Sequence, residues 1–267
     1  MVRFQAFASG SNGNCIYLGD GDTHVLIDCG ISCKRVTEGL LSLGVTTESL
    51  SGILITHEHW DHIQGLFVFA KNGCPIYATE ETISMIRYAD KKHQIPDDLY
   101  RPVEPGEPFQ IGTFSALPVP THHDAANPVS YRISTPSGSF GVLTDTGHTD
   151  CVMTDAFSGL TALLLESNHD VRMLEVGRYP YALKRRILGR NGHLSNESAA
   201  AFVKETAGQT LKLLILGHLS EENNLPELAR LETENVLDAI EEERKDPNLR
   251  LVVASRYEPT EAFMFGS

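Results

Sequence analysis

Thr56-His57-Glu58-His59-Trp60-Asp61-His62 contains the strongest signal in this sequence. It follows the apolar run Ile53-Leu54-Ile55, which is too short for a helix with its own hydrophobic face and predicts a buried strand. Three imidazoles and a carboxylate this close together need solvent, a partner or a metal ion, because burying them unpaired is costly. Imidazole nitrogen and carboxylate oxygen are ligands of Zn, Fe and Mn in hydrolytic sites. The pattern H-x-H-x-D-H at a strand exit therefore predicts a metal site rather than a solvated polar loop.

The order of the side chains within residues 56–62 suits two ions. His57 and His59 point the same way in an extended segment, because alternate side chains share a face, and can bind one ion. Asp61 and His62 lie at the opening turn of the next segment and project elsewhere, where they suit a second ion.

Other polar segments also follow predicted strands. Asp28 ends the strand Val25-Leu26-Ile27, where a carboxylate either caps the next helix or orients a metal ligand. The remaining segments are residues 121–124, 144–148, 166–170 and 217–220. Ionisable side chains thus recur at strand exits along most of the chain.

Hydrophobic patterning predicts an α/β protein with two strand-rich blocks that each finish in helices. The predicted strands are 4–8, 15–18, 24–27, 53–56, 76–77, 109–111, 114–118, 129–134, 140–143, 160–165, 211–216, 249–253 and 262–265. The predicted helices are 32–43, 63–71, 80–90, 181–188, 195–206 and 225–244, and residues 94–112 predict a largely irregular surface excursion. This order favours a pseudo-symmetric sandwich with ligands gathered along one edge.

The composition indicates an ample core and an acidic surface. The chain has 267 residues, 41% of them hydrophobic, and a formal net charge of −13. That charge argues against a uniformly basic surface, so a nucleic acid would have to meet a local positive patch. We expect no membrane span, because no apolar stretch approaches about 20 residues, and no signal peptide after Met1.

Cysteine usage predicts a reducing compartment. The five cysteines are odd in number and include no C-x-x-C pair, so we expect free thiols in the cytoplasm. They are Cys15, Cys29, Cys33, Cys74 and Cys151. A disulfide between Cys29 and Cys33 is the alternative.

Two further segments are candidates for substrate binding. The loop of residues 9–14, which includes Ser11 and Asn12, is either a plain connection or a place where backbone N–H groups approach an anion. One basic strip precedes His193 and is either a solvated helix face or a phosphate contact. The strip consists of Lys184, Arg185, Arg186 and Arg190.

Taken in order, these landmarks resemble the metallo-β-lactamase fold superfamily. They are Asp28, the segment His57–His62, His123, Asp145 and His218. The resemblance implies one domain over residues 1–267, an αββα sandwich of two mixed sheets flanked by helices. Residues 8–14, 166–170, 192–196 and 216–220 are further similar to the YycJ/WalJ group of bacterial nucleases. Trp60 departs from that pattern, since a small residue is common at this position.

The resemblance also implies a ligand set for two divalent ions, Zn or Mn, with Fe also suitable. His57, His59 and His123 would bind one ion, Asp61, His62 and His218 the other, and Asp145 both. His122 is the alternative to His123, which we prefer for its flanking His-Asp-Ala. Asp28 would orient a ligand.

The activity implied is a two-metal-dependent phosphodiesterase, most simply a 5′ to 3′ DNA exonuclease with a metal-bridging hydroxide as nucleophile. Asp61, Glu166 and His193 are the expected catalytic residues, and Glu166 and His193 are the candidates for protonating the leaving oxygen. The expected partner is nucleic acid, at DNA ends, and the oligomeric state is open. A thioesterase or lactonase on the same scaffold is the alternative, and an RNA-processing nuclease is less favoured.

Overall fold

The computed structural model describes residues 1–244 and 249–266, and its contacts divide the chain into two compact units. The first unit comprises residues 1–120, 125–138 and 255–267, and the second comprises residues 121–124 and 139–254. One domain over residues 1–267 stays a prediction. Among the described residues, no helix has the length and apolar character needed to cross a bilayer.

The first unit is built on a seven-stranded mixed sheet. Its strands are β1 (Val2–Ala8), β2 (Cys15–Gly19), β3 (His24–Ile27), β4 (Gly52–Leu54), β5 (Ile76–Ala78), β6 (Tyr100–Pro102) and β14 (Phe263–Phe265), in the order β14-β1-β2-β3-β4-β5-β6. The pairs from β14 to β3 are antiparallel, and those from β3 to β6 are parallel. The parallel half aligns the exits of β3 and β4, because Ile27 pairs with Leu54. Asp28 and the histidine-rich segment thus leave the sheet at the same edge.

Helices and a second set of strands complete the first unit. The helices are α1 (Cys33–Ser42), α2 (Trp60–Ile63), α3 (Leu66–Phe69) and α4 (Glu80–Ala89), with 3-10 turns at Thr47–Ser49, Ala70–Asn72 and Asp97–Leu99. β7 (Phe109–Ile111), β8 (Phe114–Pro120) and β9 (Val129–Thr135) pair in antiparallel order. Leu26, Ile53 and Ile76 from adjacent strands lie in one buried cluster with Leu40 of α1. This core fixes the strand ends from which the candidate ligands project.

The second unit is built on four parallel strands. They are β10 (Gly138–Leu143), β11 (Ala162–Glu166), β12 (Leu213–Gly217) and β13 (Arg250–Val253), paired in chain order. Its helices are α5 (Cys151–Phe157), α6 (Val171–Val176), α7 (Tyr181–Ile187), α8 (Asn196–Thr206) and α9 (Pro226–Arg244). Because parallel strands end at one edge, the polar segments after β10, β11 and β12 leave the sheet together.

The predicted helix 63–71 is wrong, because the chain breaks it at Gly65 into α2 and α3. Gly65 donates to the carbonyl of Cys29 (2.8 Å), and a Cβ there would overlap the carbonyl oxygen of Ile31. Two helices, α5 and α6, were not predicted from the sequence; their first turns are capped by the side chains of Asp150 and Asp170. Both helices are short, so hydrophobic periodicity gives little signal, but the capping aspartates could have located them. The irregular segment 94–112 also contains β6.

Left-handed backbone occurs at three strand exits. Asp28 follows β3 with φ of 60°, Asp145 follows β10 with φ of 57°, and His218 follows β12 with φ of 53°. A residue with a Cβ adopts this conformation only where the surroundings impose it, and such residues concentrate at functional sites. The sequence alone gave no warning of these conformations.

Gly30 allows the backbone around it to approach two other segments of the first unit closely. Its N–H donates to Asn14 O (2.8 Å), and Asn14 N–H donates to Asp61 O (2.8 Å). A Cβ on Gly30 would overlap the carbonyl oxygen of Asp61. The obstacle is backbone, so it cannot move aside as a flexible side chain could.

Gly30→Ala should therefore lower the free energy of unfolding by about 1–3 kcal/mol, as overpacking typically does. Chemical denaturation measures the loss. Gly21→Ala is the control, because no atom lies within 4 Å of a Cβ at Gly21, and it should stay within about 0.5 kcal/mol of wild type. Equal stability of the two variants would contradict the close approach.

Candidate metal centre

The first unit brings His57, His59 and His62 together. The His57 ring centroid lies 4.6 Å from that of His59 and 4.1 Å from that of His62. The turn that opens α2 produces this grouping, since His62 N–H donates to His59 O (2.9 Å) and folds the chain back. Asp61 joins the group, with its Oδ2 3.5 Å from His62 Nε2.

Asp28 orients the imidazole of His62 through a hydrogen bond. Its Oδ2 accepts from His62 Nδ1 (2.7 Å), and its Oδ1 accepts from the N–H of Thr56 (2.8 Å). Complete burial raises the pKa of Asp28, an effect opposed by His62 and by the hydrogen bonds of Thr56. Asp28 does not cap the next helix, because α1 is capped by Ser32, whose side chain accepts from Arg35 N. Asp28 therefore holds the imidazole of His62, and its role in orienting a metal ligand stays a prediction.

The same hydrogen-bond network determines which ring nitrogen of His57 carries a proton. The Thr56 hydroxyl has a single proton, which it donates to Asp28 at 3.0 Å and 3.1 Å to the two oxygens. The hydroxyl oxygen must then accept from His57 Nδ1, 3.0 Å away. Both His57 and His62 hold their proton on Nδ1, which leaves Nε2 as the nitrogen that can bind a metal.

Asn14 is a site residue that the sequence analysis missed. It is fully buried, its Oδ1 accepts from Gly10 N (3.0 Å), and its Nδ2 lies 3.2 Å from His62 Nε2. The predicted binding residues Ser11 and Asn12 are exposed at the tip of the same loop. An asparagine in a Gly- and Ser-rich loop is an ordinary turn residue, so its contact with a histidine far along the chain had no local signal.

The second unit groups three imidazoles around Asp145. Asp145 Oδ1 lies 3.7 Å from His123 Nε2, 3.5 Å from His193 Nδ1 and 3.6 Å from His218 Nδ1. The carboxylate is almost entirely buried. The structure thus assembles, from three separate strand exits and a loop, residues that the sequence predicted separately.

Glu166 is the anchor of this second group. Its Oε1 accepts from His193 Nδ1 (2.7 Å) and His218 Nδ1 (2.9 Å), and its Oε2 accepts from the backbone N–H of Thr146 (3.1 Å) and Leu194 (3.2 Å). Burial disfavours the charged form of Glu166, but the two histidines outweigh it and lower the pKa of this carboxyl group. A buried carboxylate that accepts four hydrogen bonds suits an orienting role, and the proton source is better placed on His193.

His123 and His122 have different surroundings. His123 is buried and its Nδ1 bonds Gly192 O (3.0 Å), which directs Nε2 toward Asp145. His122 Nε2 instead bonds Asp150 (2.8 Å), and its ring stacks on His148 with centroids 3.9 Å apart. This arrangement favours His123 over His122 as the ligand.

The basic strip is not a continuous row of unengaged charges. Arg186 pairs with Asp124, the neighbour of His123, with one guanidinium nitrogen 2.9 Å from the carboxylate. Lys184 Nζ donates to Glu175 O (2.7 Å), and Arg190 contacts His148 Nε2 (3.2 Å). Arg185 is exposed in the last turn of α7. Of the four, Arg185 is thus the cation best placed to meet solvent anions.

The donor sets of both units fit divalent ions. Each places buried imidazoles beside a carboxylate, and each holds the Nδ1 proton of at least two histidines on a protein acceptor. Imidazole nitrogen with carboxylate oxygen is a ligand set for Zn, Mn or Fe. Without a cation, clustering these groups in the interior would be costly.

The profile of the beta-lactamase superfamily domain matches residues 23–218. The chain belongs to the metallo-β-lactamase superfamily. Within it, the chain is 38% identical to exodeoxyribonuclease YycJ of Bacillus anthracis over 238 residues, covering 89% of each chain, and belongs to the YycJ/WalJ group. It is also 38% identical to exodeoxyribonuclease WalJ of Streptococcus pneumoniae over 236 residues, covering 88% of each.

Solved structures agree with this assignment. The metallo-β-lactamase fold protein YhfI of Bacillus subtilis matches with a TM-score of 0.69 at 17% identity, covering 97% of this chain and 98% of its own. The predicted fold class of two mixed sheets flanked by helices is confirmed. Membership of the metallo-β-lactamase superfamily also confirms the prediction of a metal-dependent hydrolase. The five cysteines are free thiols, as predicted, so the alternative of a Cys29–Cys33 disulfide is wrong.

Asp28→Asn should weaken metal affinity by about 10- to 100-fold, as loss of an orienting partner typically does. The amide lacks the charge that holds His62 Nδ1–H, and Asn cannot accept as strongly from Thr56 and His62 together. Competition with a chromophoric zinc chelator measures the affinity. Asp22→Asn, an exposed carboxylate of the same unit, is the control and should match wild type. Equal affinity of both variants would remove Asp28 from this role.

Proposed function

We propose that this protein is a two-metal-dependent exonuclease that degrades DNA in the 5′ to 3′ direction. The observation that supports it most is the His193–Glu166 pair beside the expected ligands His123 and His218. The His193 ring centroid lies 5.0 Å from that of His123 and 5.3 Å from that of His218. The names of the YycJ and WalJ relatives support DNA as the substrate, and the direction rests on resemblance to that group.

The proposed ligands are those that the resemblance to the superfamily implies. His57, His59 and His123 are assigned to one ion, Asp61, His62 and His218 to the other, and Asp145 to both. Bound divalent ions of this type lower the pKa of water and neutralise phosphate oxygens. Zn and Mn both suit the donor set, and Fe is a further candidate.

His193 is the proposed proton donor to the leaving oxygen. Its Nδ1–H is engaged by Glu166, so the second proton of the imidazolium resides on Nε2 and can pass to the leaving group. The buried carboxylate of Glu166 fixes the orientation of the ring. His193 is partly exposed, with 16% of its side chain open, whereas Glu166 is closed off. A proton donor placed this way would contribute about 10²- to 10⁴-fold to the rate.

The need for an acid favours phosphodiester over thioester substrates. A thiol has a pKa near 8.5 and leaves as thiolate without help. An alkoxide is a far stronger base and needs protonation as its bond to phosphorus breaks. A built-in donor therefore has more to contribute to nucleic acid cleavage than to thioester hydrolysis.

The deciding experiment is incubation of metal-reconstituted protein with labelled single- and double-stranded DNA and RNA, beside a panel of thioesters and lactones. Labels at either end of the strand report the direction of digestion. The proposal requires stepwise release from the 5′ end of DNA. Turnover of thioesters alone, or preference for RNA, would overturn it.

His193→Ala should lower phosphodiester cleavage at least tenfold while metal content, measured by elemental analysis, stays at the wild-type value. The ring is lost as a proton donor, but no proposed ligand is removed. His24→Ala is the control, because it deletes an imidazole bonded to Tyr17 instead (2.8 Å). Unchanged turnover in His193→Ala would exclude this residue as the acid.

Arg185→Ala should reduce the slope of log K against log salt for DNA binding by about 1, the amount expected for one lost phosphate contact. Arg186→Ala should change it less, because Asp124 already balances that guanidinium. Binding is measured by fluorescence anisotropy of a labelled strand across a salt series. An identical slope in wild type and Arg185→Ala would remove α7 from the DNA contact.

A further inference from the structure

Trp60 is an exposed aromatic residue within the ligand segment itself. It is the single tryptophan of the chain, and 60% of its surface is open to solvent. Its neighbours along the chain are His59 and Asp61, both expected metal ligands. The backbone of Trp60 thus lies one residue from each of two expected ligands, about 3.8 Å between successive Cα atoms.

The ring is supported on one side. Phe67, which is buried, lies nearly parallel to Trp60, with centroids 6.0 Å apart and an angle of 24° between the planes. The turn of α2 into α3 brings the two rings together, since Trp60 begins α2 and Phe67 belongs to α3. The indole is thus backed by a fixed core side chain while most of its surface faces outward.

Packing does not account for this placement. An indole contributes to stability mainly through the apolar area that it removes from water, and Trp60 removes less than half of its own. A small residue would complete the same turn without leaving an aromatic ring in solvent. A flat, supported and open ring beside a metal centre suits a planar ligand.

We propose that Trp60 stacks on a base of single-stranded nucleic acid and positions the strand at the metal centre. This inference rests on the proposed nuclease function. Every base has an aromatic face, so stacking grips a strand without reading its sequence, as an enzyme that digests from an end requires. It also matters more here than in a basic protein, because a net charge of −13 gives little general attraction for phosphates. Trp60 is a substrate-positioning residue and takes no part in proton transfer.

The single tryptophan makes the contact directly measurable. Metal-loaded protein is titrated with a single-stranded oligothymidylate whose phosphorothioate links resist cleavage, and indole fluorescence is recorded. A second strand of equal length bears abasic sites in place of the bases. Quenching by the strand with bases, and much weaker quenching by the abasic strand at equal occupancy, is the expected result. Equal quenching by both strands would overturn the proposal.

Variants separate stacking from folding. Trp60→Ala should weaken binding of the single strand about tenfold, Trp60→Phe should retain most of the affinity, and neither should change affinity for the abasic strand. Tyr88→Ala, which removes another exposed aromatic side chain of the first unit, is the control and should bind as wild type. Thermal unfolding establishes that all variants are folded.

The outcomes also distinguish this inference from the proposed function. Wild-type affinity in Trp60→Ala, together with normal DNA digestion, would overturn stacking while leaving the nuclease proposal intact. Absence of any strand binding or cleavage by wild type would overturn both.

Discussion

Burying a carboxylate beside imidazoles is the constraint on which the candidate ligand group of each unit depends. Asp28 does this in the first unit, where it accepts from His62 and Thr56. Glu166 does it in the second, where it accepts from His193 and His218. An anion in the interior is costly unless hydrogen bonds compensate, so each carboxylate holds its donors firmly. The result is that His62, His193 and His218 carry a proton on Nδ1, which leaves Nε2 of His62 and His218 as the nitrogen that could bind a metal ion.

Within each unit, the aligned ends of neighbouring strands place these carboxylates and histidines close together. β3 and β4 end in register, and so do β10, β11 and β12. The left-handed conformations of Asp28, Asp145 and His218 then turn each side chain sharply away from its strand. Such conformations cost about 1–3 kcal/mol each and persist only where the packing around them imposes them. The buried strands of both units provide that packing.

Much of this arrangement followed from the sequence, because it depends on local patterns. Apolar runs identified the strands, and polar residues at their ends identified the candidate ligands. What could not be foreseen depends on contacts between distant residues. The close approach at Gly30, the contact of Asn14 with His62 and the sharing of Glu166 by two histidines join segments widely separated along the chain. The break at Gly65 is of the same kind, since the N–H of Gly65 donates to the carbonyl of Cys29, a residue far away along the chain.

The shared oxygen of Glu166 has a consequence for how this scaffold can diversify. One atom, Oε1, orients both His218, an expected ligand, and His193, the proposed donor. A descendant that lost His193 would keep Glu166 bonded to His218, so its coordination would survive while its demands on the leaving group changed. A single substitution at position 193 would then suit the scaffold to esters whose leaving groups depart without protonation. Any change at position 166 would instead disturb both His193 and His218. Position 193 can therefore change with the substrate, whereas position 166 is constrained by two histidines at once.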